Sequence, residues 1–188
     1  MNITVFCASA DKIEQGYFDA ARSLGEGIAQ RSWNLIYGGT NCGLMRIVAE
    51  ATLEGGGKVT GIIPRCIAER GVAARSVTEL VVVEEMKERK QLMREQADAF
   101  IALPGGWGTL EEITEVITLK QLGIHQKPIV FVNTGGFYES FWKFMEQAAE
   151  KGFVSEAYQG LYQVVRTSEE ALEYIAGYEP RMVCPKYS

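Results

Sequence analysis

The run Pro104-Gly105-Gly106-Trp107-Gly108-Thr109-Leu110-Glu111-Glu112 holds the residue types of an anion site and of acid–base chemistry side by side. Glycines let backbone approach a ligand, and N–H groups at a helix N-terminus attract phosphate. Thr109 adds a hydroxyl, no P-loop lysine follows, and two carboxylates stand directly behind. The same glycines suit a tight strand-to-helix turn that binds nothing. Thr109-x-x-Glu112 also fits a capping box, with Thr109 as N-cap and Glu112 at N3. On that reading Glu112 only satisfies backbone donors. A second constellation is Met86, Arg89 and Met93, spaced i, i+3, i+7 on one helix face. An arginine between two methionines is unusual for a plain core stripe; a solvated surface arginine is the alternative. Facing inward, Arg89 approaches Glu112 and any bound anion. Tyr37-Gly38-Gly39-Thr40-Asn41-Cys42-Gly43 is another glycine turn before a helix, without G-x-G-x-x-G spacing. Thr40 or Asn41 there either caps the helix or touches a ligand.

These residues must be positioned by alternating strands and helices. Short apolar runs at 3–8, 34–37, 58–64, 79–84, 99–103, 127–133 and 161–166 read as strands. Amphipathic segments at 15–31, 43–56, 85–97, 109–122, 137–151 and 168–176 read as helices. Residues 64–76 read as a mobile loop or short helix over the site. The alternation predicts an α/β, Rossmann-like doubly wound parallel sheet of about seven strands with helices on both faces, as one domain over 1–188. Ligands of such sheets bind beyond the C-terminal strand ends, near the switch in strand order. The loops after the first, second and fifth strands, at 7–11, 37–43 and 103–109, are expected to share that edge.

Composition bounds the partners. With 19 Lys and Arg against 24 Asp and Glu, the formal charge is −5, which disfavours nucleic-acid binding. A local anion site remains compatible with that balance. Four cysteines without CxxC spacing and a single His125 argue against zinc. Cys7 reads as a small buried hydrophobe and His125 as a loop-structuring residue. No run reaches the roughly 18 apolar residues of a membrane span. The start lacks the basic region of a signal peptide, and the end, CPKYS, lacks a prenylation pattern. A reduced, cytoplasmic protein with no membrane partner is expected.

The whole set of motifs resembles the Lonely Guy (LOG) family, whose members are often labelled lysine decarboxylases. PGGxGTxxE is complete from Pro104 to Glu112, and MKERKQLM at 86–93 is similar to the family's M-H-x-R-K-x-x-M. YGGTNCGLM, GIIP and QLGIHQKPI match three further blocks, so the likeness covers most of residues 3–145. It implies hydrolysis of the N-glycosidic bond of nucleoside 5′-monophosphates, AMP or cytokinin riboside monophosphates among them, to free base and ribose 5-phosphate. It implies a Rossmann-like homodimer without a cofactor, and a small nucleotide as partner. Arg89 and Glu112 fall on the family's catalytic pair. Gly105, Gly106, Gly108, Thr109, Met86, Lys90, Ser9, Gly39 and Thr40 fall on its substrate contacts. Phosphate then takes the glycine loop, while Glu112 faces the sugar, steadied by Arg89 and ionised. Asp98 is a candidate proton donor by sequence proximity alone, against a structural role. The decarboxylase label finds no support, because no Schiff-base lysine motif is present.

The chain departs from the family at Lys87, in place of histidine, at Thr40, in place of a third glycine, and at Arg46, in place of glycine. These bear on substrate identity more than on reaction type. Helices 85–97 and 109–122, rich in methionine and leucine, are candidates for the dimer face. The alternative on the same fold is a non-catalytic nucleotide or molybdenum-cofactor carrier; retention of both Arg89 and Glu112 favours the enzyme.

Overall fold

The computed structural model describes residues 1–155 and 160–180. Cys184 and the CPKYS end lie outside them. Seven strands form one all-parallel sheet: β1 Asn2–Phe6, β2 Asn34–Tyr37, β3 Lys58–Pro64, β4 Glu79–Val83, β5 Ala99–Ala102, β6 Ile129–Val132 and β7 Gln163–Val165, ordered β4-β3-β2-β1-β5-β6-β7. Strands β5 (AFIA) and β6 (IVFV) are buried along their whole length, as a sheet covered on both faces requires. The edge strands β4 and β7 place Glu79 and Gln163 in solvent.

Among the described residues there are seven helices: α1 Gln15–Gln30, α2 Gly43–Glu54, α3 Arg65–Ile67, α4 Met86–Gln96, α5 Trp107–Gln121, α6 Glu139–Glu150 and α7 Ser168–Ala176. Successive strand residues point to opposite faces. Val5, Leu35 and Ile101 therefore pack under α1, α2 and α7, while Phe6, Ile36 and Phe100 pack under α4, α5 and α6. The apolar stripe of α1 runs through Phe18, Ala21, Leu24 and Ile28; the last three are fully buried and Phe18 is half-buried. Gly25 lies between them; a Cβ there would stand 2.5 Å from the Val48 carbonyl oxygen and 2.8 Å from Ala51 Cβ, so α1 and α2 touch backbone to backbone. Helix α7 begins with a complete capping box: the Thr167 hydroxyl accepts from the Glu170 N–H, and the Glu170 carboxylate accepts from the Thr167 N–H.

From β1 the chain runs outward to β4, then returns to β5 on the other side of β1. The switch point therefore lies between the C-terminal ends of Phe6 and Ala102, which are paired in register. The segment after Pro64 is α3 followed by a π-turn at Ala68–Val72, joined to the second glycine turn by a bridge between Thr40 and Ala73. Among the described residues no helix is long and apolar enough to cross a membrane.

The α1–α2 contact yields a test of the fold. Gly25→Ala must push two helix backbones apart, and overpacking of this kind costs about 1–3 kcal/mol. Urea unfolding should show a lower midpoint at unchanged slope; an unchanged midpoint would mean the helices do not rest on that contact.

Candidate functional site

At the switch point the strand ladder continues into the loops. The Leu103 N–H donates to the Phe6 carbonyl at 3.0 Å, and the Ala8 N–H to the Pro104 carbonyl at 3.2 Å. The Ala8 carbonyl accepts from the N–H groups of Leu44 and Met45 at the start of α2, at 2.9 and 3.3 Å. The loops at 7–11, 37–43 and 103–109 thus share one edge, as expected. Gly43 has φ +54°, and a Cβ on it would lie 2.5 Å from the carbonyl carbon of Ser9, so this crossing admits only glycine. Neither Thr40 nor Asn41 caps α2. The N-cap is Cys42, and Asp11, from the first loop, accepts the Gly43 N–H at 3.0 Å. Asp11 is distant in sequence from the helix it caps, so no local signature reveals it.

Helix α5 starts three residues earlier than the capping-box pattern suggests. Gly106 is the N-cap, which places Thr109 at N3, inside the helix, and Glu112 about 7.5 Å along the axis from Trp107 at 1.5 Å per residue. The capping role of Glu112 is therefore overturned. Its carboxylate instead pairs with Nη1 of Arg89, and each residue is only 5% exposed. Arg89 Nε donates to the Ile62 carbonyl at the end of β3, at 3.0 Å. A Cβ at residue 38 would stand 2.4 Å from Arg89 Nη2, so Gly38 leaves the space the guanidinium fills. Arg89 is not a solvated surface residue.

The face predicted for α4 is correct for Arg89 and Met93 and wrong for Met86, which is 43% exposed at the first helical position. Lys90 is turned to α5, where its ammonium pairs with Glu111 and Glu115. Gly39 (φ +75°) and Thr40 line the second turn, and the Thr40 hydroxyl lies 3.1 Å from Met45 Sδ. Ser9, Gly106 and Gly108 are exposed. Gly105 packs on Thr109, whose Oγ1 would meet a Cβ there at 2.1 Å, whereas Cβ atoms at Gly106 and Gly108 would meet nothing within 4 Å. Packing explains the first glycine and not the other two. Trp107 between them is 89% exposed, an aromatic at the lip that the sequence reading passed over.

Burial pushes the Glu112 carboxyl above its usual range, and the Arg89 guanidinium pulls it partly back. Cys7 is buried as expected, and it senses the pair electrostatically: burial first, then Glu112, push its thiol up, against a smaller opposing effect of Arg89. It remains a thiol at neutral pH. His125 structures its loop: Nδ1 accepts the Lys127 N–H at 3.2 Å, which leaves Nε2 to donate to the Val116 carbonyl at 2.9 Å. Asp98 precedes β5 at the opposite edge of the sheet and accepts the Asn2 N–H at 2.6 Å, a structural role. Lys87 is exposed and pairs with Glu85 at 2.9 Å. Cys7, Cys42 and Cys66 are free thiols.

A Rossmann-like sheet thus carries an open glycine turn at its switch point, with a guanidinium–carboxylate pair buried behind that turn. The chain belongs to the family described as "Possible lysine decarboxylase", whose profile matches residues 45–175; its curated relatives are the Lonely Guy proteins. A cytokinin riboside 5′-monophosphate phosphoribohydrolase of Arabidopsis thaliana is 42% identical over 95% of this chain and 84% of its own. A rice protein (Oryza sativa subsp. japonica) of the same name is 43% identical over 96% and 76%. Among solved structures, the molybdenum cofactor binding protein of Rippkaea orientalis superposes with TM-score 0.72 at 20% identity, covering 93% of this chain and 94% of that one. The molybdenum cofactor carrier protein of Chlamydomonas reinhardtii gives 0.71 at 21%, covering 93% and 95%. At that identity the likeness concerns the fold alone.

The buried pair is testable without any ligand. Arg89→Ala leaves an unpartnered carboxylate in the core, a loss of about 3–5 kcal/mol at neutral pH. The lone Glu112 then holds a proton more tightly folded than unfolded. Its penalty is absent below the unfolded carboxylate pKa and grows as pH rises toward the raised folded value. Urea midpoints of the variant and the parent should converge on acidification from about pH 8 toward pH 4. A gap that stays constant across that range would show that Glu112 does not depend on Arg89.

Proposed function

We propose that the protein hydrolyses the N-glycosidic bond of a nucleoside 5′-monophosphate, AMP or a cytokinin riboside monophosphate, to free base and ribose 5-phosphate. The observation that carries this reading is the buried Arg89–Glu112 pair behind glycines whose openness packing does not explain. The relatives at 42–43% identity support the substrate class. In this reading the phosphate takes the N–H groups of Gly106 to Gly108 at the start of α5, where the helix dipole favours an anion. Gly105 and Thr109 shape that turn from beneath, and Ser9, Gly39 and Thr40 close the cleft from the neighbouring loops. Met86 and Lys90 border it on α4.

Glu112, further along α5, reaches the sugar and not the phosphate. As the C1′–N bond breaks, its electron pair leaves with the base and C1′ becomes cationic, as in glycoside cleavage. An ionised Glu112 stabilises that charge and accepts a proton from the attacking water, whose oxygen bonds to C1′. Of the water's two hydrogens, one stays on the new hydroxyl and one is delivered to the base. Arg89 keeps the carboxylate ionised and aimed.

Glu112→Gln should retain AMP binding and lose turnover roughly a thousandfold or more, read as adenine release by chromatography. Because the raised pKa postpones ionisation, and the base form is the active one, the acid limb of kcat/KM should lie above the ordinary carboxylate range of about 4.3. Near-parental turnover in Glu112→Gln, or a flat profile down to that range, would remove Glu112 from the chemistry. If AMP and a panel of other monophosphates bind but all stay intact, the carrier reading takes its place.

We further propose a cytoplasmic homodimer. The exterior of α4 is charged, so the dimer face expected from α4 and α5 moves to the groove between α5 and α6. That groove, about 640 Å3, is lined by Ile117, Phe141, Trp142, Phe144 and Met145. Phe144 is 62% exposed there, an expensive placement for a monomer. Light scattering should give twice the chain mass for the parent and the chain mass for Phe144→Glu; a monomeric parent would end the proposal.

A further inference from the structure

On the other face of the sheet from Arg89 and Glu112, α2 and residues 71–77 enclose a cavity of about 300 Å3. That is the low end of the range for small-molecule sites. Tyr37 forms part of its lining; the side chain is fully buried, and its hydroxyl has no hydrogen-bond partner among the described residues. Burial, then Cys7 and Glu50, push its ionisation up, so it stays a neutral phenol able to donate and accept. Buried hydroxyls are ordinarily partnered, and one that is not calls for a reason. The cavity is also lined by Arg46, Glu50 and Arg75, with Asn41 and Ser76. Arg46 donates to Glu50 at 3.2 Å, while Arg75 makes no ion pair among the described residues. Two guanidiniums against one carboxylate leave the walls with a positive charge in excess.

We propose that this cavity is a second ligand site, and that its ligand is a small sugar phosphate. The two guanidiniums match a phosphate in charge and in fork geometry. Glu50, Asn41 and the Tyr37 hydroxyl match the hydroxyls of a polyol, and a cavity of this size holds little more than one sugar ring with its phosphate. The cavity shares a wall with the cleft: the Asn41 N–H donates to the Val72 carbonyl at 2.8 Å, the Ala74 N–H donates to the Gly39 carbonyl at 2.9 Å, and Gly38 of the same turn abuts Arg89. The site uses neither Arg89 nor Glu112, so it stands apart from the proposed hydrolysis.

Equilibrium dialysis of the full chain against labelled ribose 5-phosphate tests it. Removing both guanidiniums with Arg46→Ala/Arg75→Ala should weaken this site tenfold or more and lower the bound ligand by one per chain. Arg89→Ala, at the cleft, should leave that one in place. Should the double variant fail to fold, Arg75→Ala alone, at an exposed position, carries the same comparison. Inorganic phosphate should compete less well than the sugar phosphate. Unchanged binding in the double variant overturns the proposal whatever Arg89→Ala does, and equal competition by inorganic phosphate overturns the sugar-phosphate assignment.

Discussion

The ion pair of Arg89 and Glu112 is the interaction on which the rest of the site depends. Two opposite charges, each almost wholly out of water, are stable only with close geometry and satisfied remaining donors. The Ile62 carbonyl supplies the second partner for Arg89, and the missing side chain at Gly38 supplies the space. Both conditions come from strand ends, β3 and β2, not from the helices that carry the charges. Helix α4 must also lie beside α5 in one register. Lys90 and Arg94 pair with acids of α5 on the outside, and the Thr4 hydroxyl donates to the Met93 carbonyl within. The outer pairs are individually weak. Their contribution is to hold two helices at the angle the buried pair needs.

That dependence explains which features were legible in the sequence. The sheet was, because a period-2 or fully apolar run is read residue by residue. Strand β3 at 58–64 and helix α7 at 168–176 fall where the pattern puts them. The start of α5 was not. Thr109-x-x-Glu112 carries the residue types of a capping box, yet Gly106 already ends the strand-side turn, so Trp107 and Gly108 are helical. A local signature lost to tertiary demand, since Glu112 is needed at Arg89. A genuine box of the same composition forms at Thr167 and Glu170, where no buried cation competes for the glutamate.

The misreading of α4 has a related cause. Spacing i, i+3, i+7 places three residues on one face, but a helix face leaves the core at its ends. Met86 is the first helical residue, and it is exposed while Arg89 and Met93 are not. Asp11 and the Gly38 space were invisible for another reason: each acts on a residue more than thirty positions away. Such contacts follow from the order in which β1, β2 and β5 are laid side by side, which composition and periodicity do not encode.

Why acids stand so close to an anion-ready turn also follows from geometry. A helix displays N–H groups only at its first turn, and its dipole favours anions only there. Glu111 and Glu112, beyond that turn, are free to serve other partners. Glu111 goes outward to Lys90 and Glu112 inward to Arg89, because neighbouring helix residues diverge by about 100°. One helix thus presents an electropositive end and a buried carboxylate a few ångströms apart. Molybdenum cofactor proteins share this sheet at 20–21% identity, so the sheet alone does not choose between holding an anion and cleaving one. In this chain a charged pair stands behind the turn, and its relatives at 42–43% identity are named for cleaving, not for carrying.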